Sequence, residues 1–277
     1  MLTHATAPTL HIEANGVNFA YRRFGAPGTL PLVMLQHFTG GLDHWDPLIT
    51  DGFAKDREVI LVNYPGIGAS SGETPKTIEL MAQSIDDFIM ALGLETFDLL
   101  GFSIGGMVAQ AYAKEHSSKL RKLILVGTSP RGGEPTPFQE EVVKRARGNA
   151  GLEELAWLFF GHSEAGRAAA GRFWERRHSR TLEVDPPSRQ ESIVSQAIAG
   201  HDWLVPHGER FADLKKISVP TLVVNGTLDV MLPTINSFYL QQNIPDAQLI
   251  IYPDAGHAPH FQFPGLFLAH ANLFLEG

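Results

Sequence analysis

The 277-residue sequence contains no cysteine. Disulfide bonds, thiolate metal sites and a cysteine nucleophile are therefore all excluded. A basic tail is also missing, and 30 acidic against 22 basic side chains give a formal net charge of −8. This charge balance argues against nucleic acid or an anionic membrane as the main partner.

Long apolar segments are missing as well. No stretch of the sequence is apolar over the length that a membrane span needs. The first residues, MLTHATAPTLHIEANG, contain neither the basic region nor the apolar region of a signal peptide. We therefore expect a cytoplasmic protein that has no membrane partner.

The first 130 residues show the pattern of an α/β protein. Two alternating segments flank Asn15-Gly16, which is a strong hairpin signal. The short apolar runs LPLVMLQH and REVILVNYPG are typical of strands that are buried on both faces of a parallel sheet. The segment TIELMAQSIDDFIMALGL carries apolar residues at helical spacing. Strands that alternate with helices in this way predict a mostly parallel sheet with helices on both faces.

This alternation stops between residues 131 and 216. The segment contains four helix-like pieces and no convincing strand: PFQEEVVKRARGN, GLEELAWLFFG, SEAGRAAAGRFWERRHSR and PPSRQESIVSQAIAG. The strand pattern resumes with VPTLVVNGTLDVMLP and QLIIYPDAGH. We expect one α/β core, formed by residues 1–130 and 217–277, that is divided by a helical insertion at 131–216.

A serine stands at the centre of the turn that follows the apolar segment FDLL. The sequence Gly101-Phe102-Ser103-Ile104-Gly105 fits the pattern G-x-S-x-G, in which a strained strand-to-helix turn exposes the serine hydroxyl. The following helix directs its positive N-terminus at the same place. We predict Ser103 as a nucleophile and the backbone N–H of Ile104 as a donor to an oxyanion. The alternative is that small residues merely fill a tight turn.

A serine nucleophile needs a base, and the base needs a carboxylate that orients it. Asp229 and His257 each follow an apolar strand pattern, so both are expected at the same sheet edge as Ser103. His260 is an alternative base, but no glycine precedes it. Asp254 is an alternative acid, but it lies so close to His257 in sequence that it suits a turn better.

In this order, the three motifs resemble those of the α/β-hydrolase superfamily. Its nucleophile elbow, its G-x-x-D-x-x-x-P loop and its G-H loop match Gly101–Gly105, Gly226–Pro233 and Gly256-His257. NYPGIGASSG resembles another loop of the family, with Asn63 in place of the usual aspartate. The resemblance covers nearly the whole chain. It implies an eight-stranded, mostly parallel sheet and a cap formed by the helical insertion.

The family takes a second oxyanion donor from the loop after the third strand, where this sequence reads LQHFTGGLDHW. The resemblance puts His37 at the family's histidine and Thr39 at the donor position. Phe38 stands where the family usually has glycine, so the donor is either Phe38 or Thr39. We expect His37 to brace the loop and to lie at the substrate pocket.

A serine nucleophile implies acyl transfer with His257 as the base, and it requires no metal or cofactor. Aromatic residues of the insertion favour a small to medium, largely apolar substrate, with Trp157, Phe160 and Trp174 as pocket candidates. We therefore predict a hydrolase of a carboxylic ester or lactone, acting as a monomer or homodimer. The alternatives are a carbon–carbon bond hydrolase, a perhydrolase or haloperoxidase-like enzyme, a cofactor-free oxygenase, and a ligand receptor without turnover.

Four arginines follow one another closely in the third helix-like piece: Arg172, Arg176, Arg177 and Arg180. Such a run most simply forms a solvated helix face, and this is what we expect here. Binding of a substrate carboxylate is the alternative.

Overall fold

The computed structural model describes residues 2–146 and 150–277. Its strands are β1 (Leu10–Ala14), β2 (Val17–Gly25), β3 (Leu32–Leu35), β4 (Glu58–Val62), β5 (Phe97–Phe102), β6 (Leu120–Val126), β7 (Thr221–Gly226) and β8 (Ala247–Tyr252). They form one sheet in the order β1-β2-β4-β3-β5-β6-β7-β8. The pairs β1–β2 and β2–β4 are antiparallel and the other pairs are parallel. The predicted eight-stranded, mostly parallel sheet is confirmed.

The described residues form ten α-helices. They are α1 (Pro47–Ala54), α2 (Ile78–Ala91), α3 (Ile104–His116), α4 (Gln139–Ala146), α5 (Leu152–Phe159), α6 (Glu164–Arg177), α7 (Gln190–Trp203), α8 (Ile235–Asn243), α9 (Pro259–Gln262) and α10 (Pro264–Glu276). The described part of the segment between β6 and β7 contains α4 to α7 and no strand. The predicted helical piece that includes α4 extends to residue 149, and its residues 147–149 lie outside the described residues.

Two apolar cores lie on opposite faces of the sheet. Val33 and Leu35 of β3 belong to one core, which also contains residues of α2 and α3. Leu32 and Met34 belong to the other, which contains residues of α1, α10 and the insertion. Successive residues of a strand point to opposite faces, so the uninterrupted apolar sequence of β3 serves both cores. Among the described helices, none has the length and apolar character that crossing a lipid bilayer requires.

Asp185 of the insertion connects it to the loops that follow the strands. Its carboxylate accepts hydrogen bonds from Asn63 Nδ2 at 3.0 and 2.9 Å and from the backbone N–H groups of Leu42 and Ala69, both at 3.0 Å. Its own backbone N–H donates to Asp43 Oδ2 at 2.6 Å. Asn63 is the residue that departs from the family loop, and its amide supplies a donor that an aspartate lacks. Asp185 therefore holds the insertion to two loops of the core.

Asp185→Ala should lower the free energy of unfolding by about 2–4 kcal/mol, because it leaves several partly buried donors without an acceptor. Urea unfolding at pH 7 would measure this loss. Asp56→Ala, at an exposed position, is the matched control and should change stability by less than about 0.5 kcal/mol. A loss of under about 1 kcal/mol in the Asp185 variant would show that these contacts contribute little net stability.

Candidate active site

Ser103 occupies the turn between β5 and α3 in a conformation that is rare for a residue with a side chain. Its φ is +58° and its ψ is −121°. Its backbone N–H donates to the carbonyl of Val126 at 2.9 Å, and its carbonyl accepts from the Thr128 hydroxyl at 2.8 Å. These two bonds, on either side of the end of β6, hold the strained turn in place.

Two glycines allow the backbone to pass close on both sides of Ser103. A Cβ atom on Gly101 would lie 2.3 Å from the carbonyl oxygen of Gly105. A Cβ atom on Gly105 would lie 2.2 Å from the carbonyl oxygen of Leu35 in β3. Both neighbours are backbone atoms that cannot rotate away, so the turn requires glycine at both positions.

His257 and Asp229 form a buried hydrogen-bonded pair. His257 Nδ1 lies 2.9 Å from Asp229 Oδ2, and neither side chain is exposed to solvent. The other carboxylate oxygen, Asp229 Oδ1, accepts from the backbone N–H groups of Met231 and Leu232, both at 2.9 Å. A carboxylate beside Nδ1 keeps the proton on that nitrogen, so Nε2 is left as the basic one. Within the described chain, His257 Nε2 has no hydrogen-bond partner.

Ser103 and His257 lie at the same edge of the sheet. The His257 ring lies 5.1 Å, centroid to centroid, from the ring of Phe102, which precedes Ser103. In the described residues no hydrogen bond joins the Ser103 hydroxyl to His257 Nε2. In ligand-free enzymes such bonds are often long and tighten only when substrate binds. The missing bond therefore does not exclude His257 as the base for Ser103.

His260 and Asp254, the alternative base and acid, lie in different surroundings from His257 and Asp229. His260 lies among aromatic rings, 4.5 Å from Phe102 and 3.9 Å from Phe261 between centroids. Neither of its ring nitrogens has a partner in the described residues, and burial lowers its pKa well below the usual value. Asp254 has a left-handed φ of +50° and accepts from the Ser163 hydroxyl. Neither residue is placed to form the acid–base pair.

Of the two candidate oxyanion donors in the loop after β3, one backbone N–H group is already bonded and the other is not. Thr39 has a φ of +63°, and its N–H donates to Gln196 Oε1 at 2.7 Å. Its carbonyl accepts from the Ser188 hydroxyl at 2.8 Å. Of the described residues, none accepts from the backbone N–H of Phe38 or of Ile104. Phe38 is therefore the better candidate for the second oxyanion donor, because the N–H of Thr39 is occupied.

Ser103 lies at the wall of a cavity of about 360 Å³. The core contributes His37, Phe38, Thr39 and Met231 to the lining, and the insertion contributes Leu155, Leu158, Phe159, Arg177 and Ile193. The insertion thus covers the sheet edge at which Ser103 stands. Apolar residues share this wall with two arginines, Arg177 and Arg180, and two aspartates, Asp43 and Asp185.

Trp157, Phe160 and Trp174 are not among the described residues that line this cavity. Phe160 is fully buried and packs against Phe173 at 5.7 Å between centroids. Trp157 stacks on His162 and Trp174 packs against His178. The expectation that these three aromatic residues form the pocket is therefore corrected: they pack within the insertion.

Phe159 is the aromatic residue of α5 that does line the cavity. It shares one helix face with Leu155, which lies four residues before it, and with Leu158, which lies three residues after Leu155. All three are buried, whereas Trp157 is only partly buried. The spacing of Leu155, Leu158 and Phe159 is the sequence signal that could have identified this face.

His37 lies in the cavity wall and also braces the loop that carries Phe38. Its Nδ1 donates to the Phe38 carbonyl at 2.8 Å, and its ring packs edge-on against Phe159 at 5.1 Å. Burial lowers the pKa of His37 to about 3, so the ring is neutral at physiological pH. His44 also lines the cavity, and its Nδ1 accepts from the backbone N–H of Gly41 at 3.0 Å.

The predicted solvated face of four arginines is wrong for three of them. Arg176 Nη2 lies 2.6 Å from Asp46 Oδ2 in the core. Arg180 is buried and donates to two backbone carbonyls of the N-terminal segment, both at 3.1 Å. Arg177 lines the cavity, and only Arg172 is exposed.

The family model of the α/β-hydrolase fold matches residues 31–264. The chain belongs to the α/β-hydrolase family. It is 25% identical over 244 residues to the pimeloyl-[acyl-carrier protein] methyl ester esterase of Nitrosomonas europaea, covering 86% of this chain and 92% of the relative. It is 26% identical over 279 residues to proline iminopeptidase PfmaB of Pestalotiopsis fici, covering 96% and 98%.

A solved structure is similar along the whole chain. The α/β-hydrolase fold protein from Chitinophaga pinensis has a TM-score of 0.94 at 39% identity, with 100% of both chains covered. Together with the family model, this similarity confirms the predicted family and fold.

Burial of neutral histidines should make the protein less stable in acid. Burial lowers the pKa of His4 to about 4 and that of His260 well below 6.5, so the unfolded chain binds more protons. Stability is therefore lost as the pH falls from about 6.5 towards 4. We expect His260→Phe to match or exceed the parent at pH 7, because it removes two unpartnered nitrogens. Between pH 7 and pH 5, the free energy of unfolding of this variant should fall by roughly 1–2 kcal/mol less than that of the parent.

Urea unfolding at the two pH values would test this expectation, with His11→Phe at an exposed position as the matched substitution. A loss of more than about 2 kcal/mol at pH 7 would contradict it, because phenylalanine would then fail to replace the packing of His260.

Proposed function

We propose that the protein is a serine hydrolase that cleaves a small to medium carboxylic ester or lactone. Ser103 is the nucleophile, His257 the general base and Asp229 the acid that orients it. The hydrogen-bonded pair of His257 and Asp229, with Nε2 unpartnered in the described residues and Ser103 at the same sheet edge, carries the proposal. The similarity to a methyl ester esterase supports ester cleavage.

Ser103 Oγ attacks the carbonyl carbon of the substrate while its proton passes to His257 Nε2. Negative charge then develops on the carbonyl oxygen. The backbone N–H groups of Ile104 and Phe38 donate hydrogen bonds to this oxyanion, and the positive end of the α3 dipole stabilises it further. His257 next protonates the leaving alcohol, which departs and leaves an acyl group on Ser103.

Water completes the cycle. His257 takes a proton from a water molecule, whose oxygen attacks the acyl carbon of the ester on Ser103. The second tetrahedral intermediate uses the same two N–H donors and collapses to the free acid. The proton on His257 returns to Ser103. Asp229 keeps Nδ1 protonated throughout, and the two backbone N–H groups on its other oxygen hold its carboxylate still.

The insertion at 131–216 serves in this proposal as the cap over a core of residues 1–130 and 217–277. Its residues Leu155, Leu158 and Phe159 give the cavity an apolar wall. A volume of about 360 Å³ is near the small end of ligand cavities. Both features favour a compact substrate with a hydrocarbon portion.

Ser103→Ala should lower kcat on p-nitrophenyl butyrate by roughly 10³-fold or more, because no nucleophile remains for His257 to activate. A fluorophosphonate probe should label the parent and fail to label this variant. Ser117→Ala, at the other end of α3, is the matched control and should keep both properties. Near-normal turnover by the Ser103 variant would contradict the proposal and indicate base chemistry by His257 alone, as in a cofactor-free oxygenase.

Gln196→Met should lower kcat by roughly 10-fold with little change in KM. It removes the acceptor that holds the N–H of Thr39, so the neighbouring Phe38 N–H loses its fixed position. Gln196→Glu keeps an acceptor oxygen and should retain more activity than the methionine variant. Equal activity of both variants and the parent would show that this bond does not position the loop.

A further inference from the structure

Arg177 is a charged side chain in the wall of the same cavity as Ser103. Among the described residues, no carboxylate oxygen lies within 4.0 Å of its guanidinium, in contrast to Arg176 and Arg180. Its buried Nε has no hydrogen-bond partner in these residues either. The four residues outside the description, Met1 and 147–149, include no acidic residue.

Two carboxylates line the same cavity, those of Asp43 and Asp185, and both already have other donors. Asp43 pairs with Arg22 and also accepts from the backbone N–H of Asp185. Asp185 accepts from Asn63 and from two backbone N–H groups. Hydrogen-bonding capacity on these two residues is thus taken up by the contacts that hold the insertion to the core.

The contacts of Arg177 with its own helix leave its N–H groups unused. Its guanidinium carbon lies 5.1 Å from the ring centroid of Trp174 and 6.0 Å from that of Phe173. Cation–π contacts of this kind hold the charge without occupying a hydrogen-bond donor. Arg177 is therefore held at the cavity while its planar fork of donors stays available.

Arg177 stays charged at physiological pH, whereas His37 and His44 of the same cavity wall are neutral. Burial lowers the pKa of Arg177 to about 10, which still leaves it protonated. Burial, with the nearby Arg177 charge, lowers the pKa of His37 to about 3 and that of His44 well below its usual value. Arg177 is therefore a charged side chain of the cavity wall that has no carboxylate partner in the described residues, whereas Arg180 in the same wall pairs with Glu183.

We propose that Arg177 binds a carboxylate of the substrate, so that the preferred ester or lactone carries a second, ionised carboxyl group. This inference rests on the proposed hydrolase function. A guanidinium matches a carboxylate with two parallel N–H···O bonds, and one cation balances one carboxylate. A phosphate dianion would need further cations. The apolar wall of Leu155, Leu158 and Phe159 suits the hydrocarbon chain that joins the two carboxyl groups.

The test compares p-nitrophenyl esters that differ only in a terminal carboxylate. The series runs from the hydrogen succinate to the hydrogen suberate, each paired with the neutral monoacid ester of the same carbon number. For at least one chain length, the parent should have a kcat/KM roughly 10-fold or more higher on the carboxylate ester. Arg177→Met should lower that kcat/KM roughly 10- to 100-fold, mainly through KM, because this contact lies away from the reacting bond.

The same variant should change kcat/KM on the neutral partner ester by less than about threefold, which also shows that it is folded. Arg177→Lys keeps the charge but lacks the planar guanidinium. Its kcat/KM on the carboxylate ester should lie between the values of the parent and of Arg177→Met. Arg172→Met, at the exposed position of the same helix, is the matched control and should behave like the parent. An equal loss on both ester types would show a structural role for Arg177 and overturn the inference.

A binding measurement separates this inference from the proposed mechanism. Calorimetry with the Ser103→Ala protein should detect adipate, and the added Arg177→Met change should abolish that binding. If Ser103→Ala abolishes turnover but the parent shows no preference for any carboxylate ester, only the Arg177 inference falls. If Ser103→Ala leaves turnover intact, the proposed function falls, and adipate binding that depends on Arg177 would still identify the anion site.

Discussion

The strained turn at Ser103 is the constraint on which the site depends. A φ of +58° on a residue with a side chain costs of order 1–3 kcal/mol, so the surrounding structure must enforce it. The order of strands does this, because β5 lies between β3 and β6. β3 brings Leu35 against Gly105, and the end of β6 supplies the bonds to both backbone groups of Ser103. If β5 were an outer strand of the sheet with only one neighbour, it would lack one of these two sets of contacts and could not hold the turn.

The same strand order also gathers the rest of the site. β3 ends at the loop of Phe38, β7 is followed by Asp229 and β8 is followed by His257. Their carboxyl ends meet at one edge because these strands are parallel. The insertion contacts this edge through hydrogen bonds as well as through apolar side chains. Gln196 and Asp185 bond to core loops, so the insertion and the loop that carries Phe38 are positioned together.

Those parts of the structure that depend on local patterns could be predicted from the sequence. Apolar strands ended by turn residues were enough to place β5, β7 and β8 and the loops after them. The spacing of Leu155, Leu158 and Phe159 indicates the buried face of α5, but aromatic character alone does not distinguish Phe159 from the nearby Trp157. The choice between Phe38 and Thr39 depends on Gln196, which lies 157 residues further along the chain. The surroundings of the arginines likewise depend on distant partners, such as Asp46 for Arg176, 130 residues away.

In the proposed arrangement, the core carries the groups for the reaction and the insertion carries the group that selects the substrate. The proposed nucleophile, base and oxyanion donors all lie on core loops whose geometry follows from the sheet. Arg177 lies on α6 of the insertion and faces the same cavity from outside the sheet. The chain as a whole has a formal net charge of −8, so a general field would not attract an anion to the site. Recognition of a carboxylate therefore depends on this one guanidinium, held by Trp174 and left unpaired by the carboxylates around it. A changed insertion could alter the preferred substrate while the sheet preserves the chemistry.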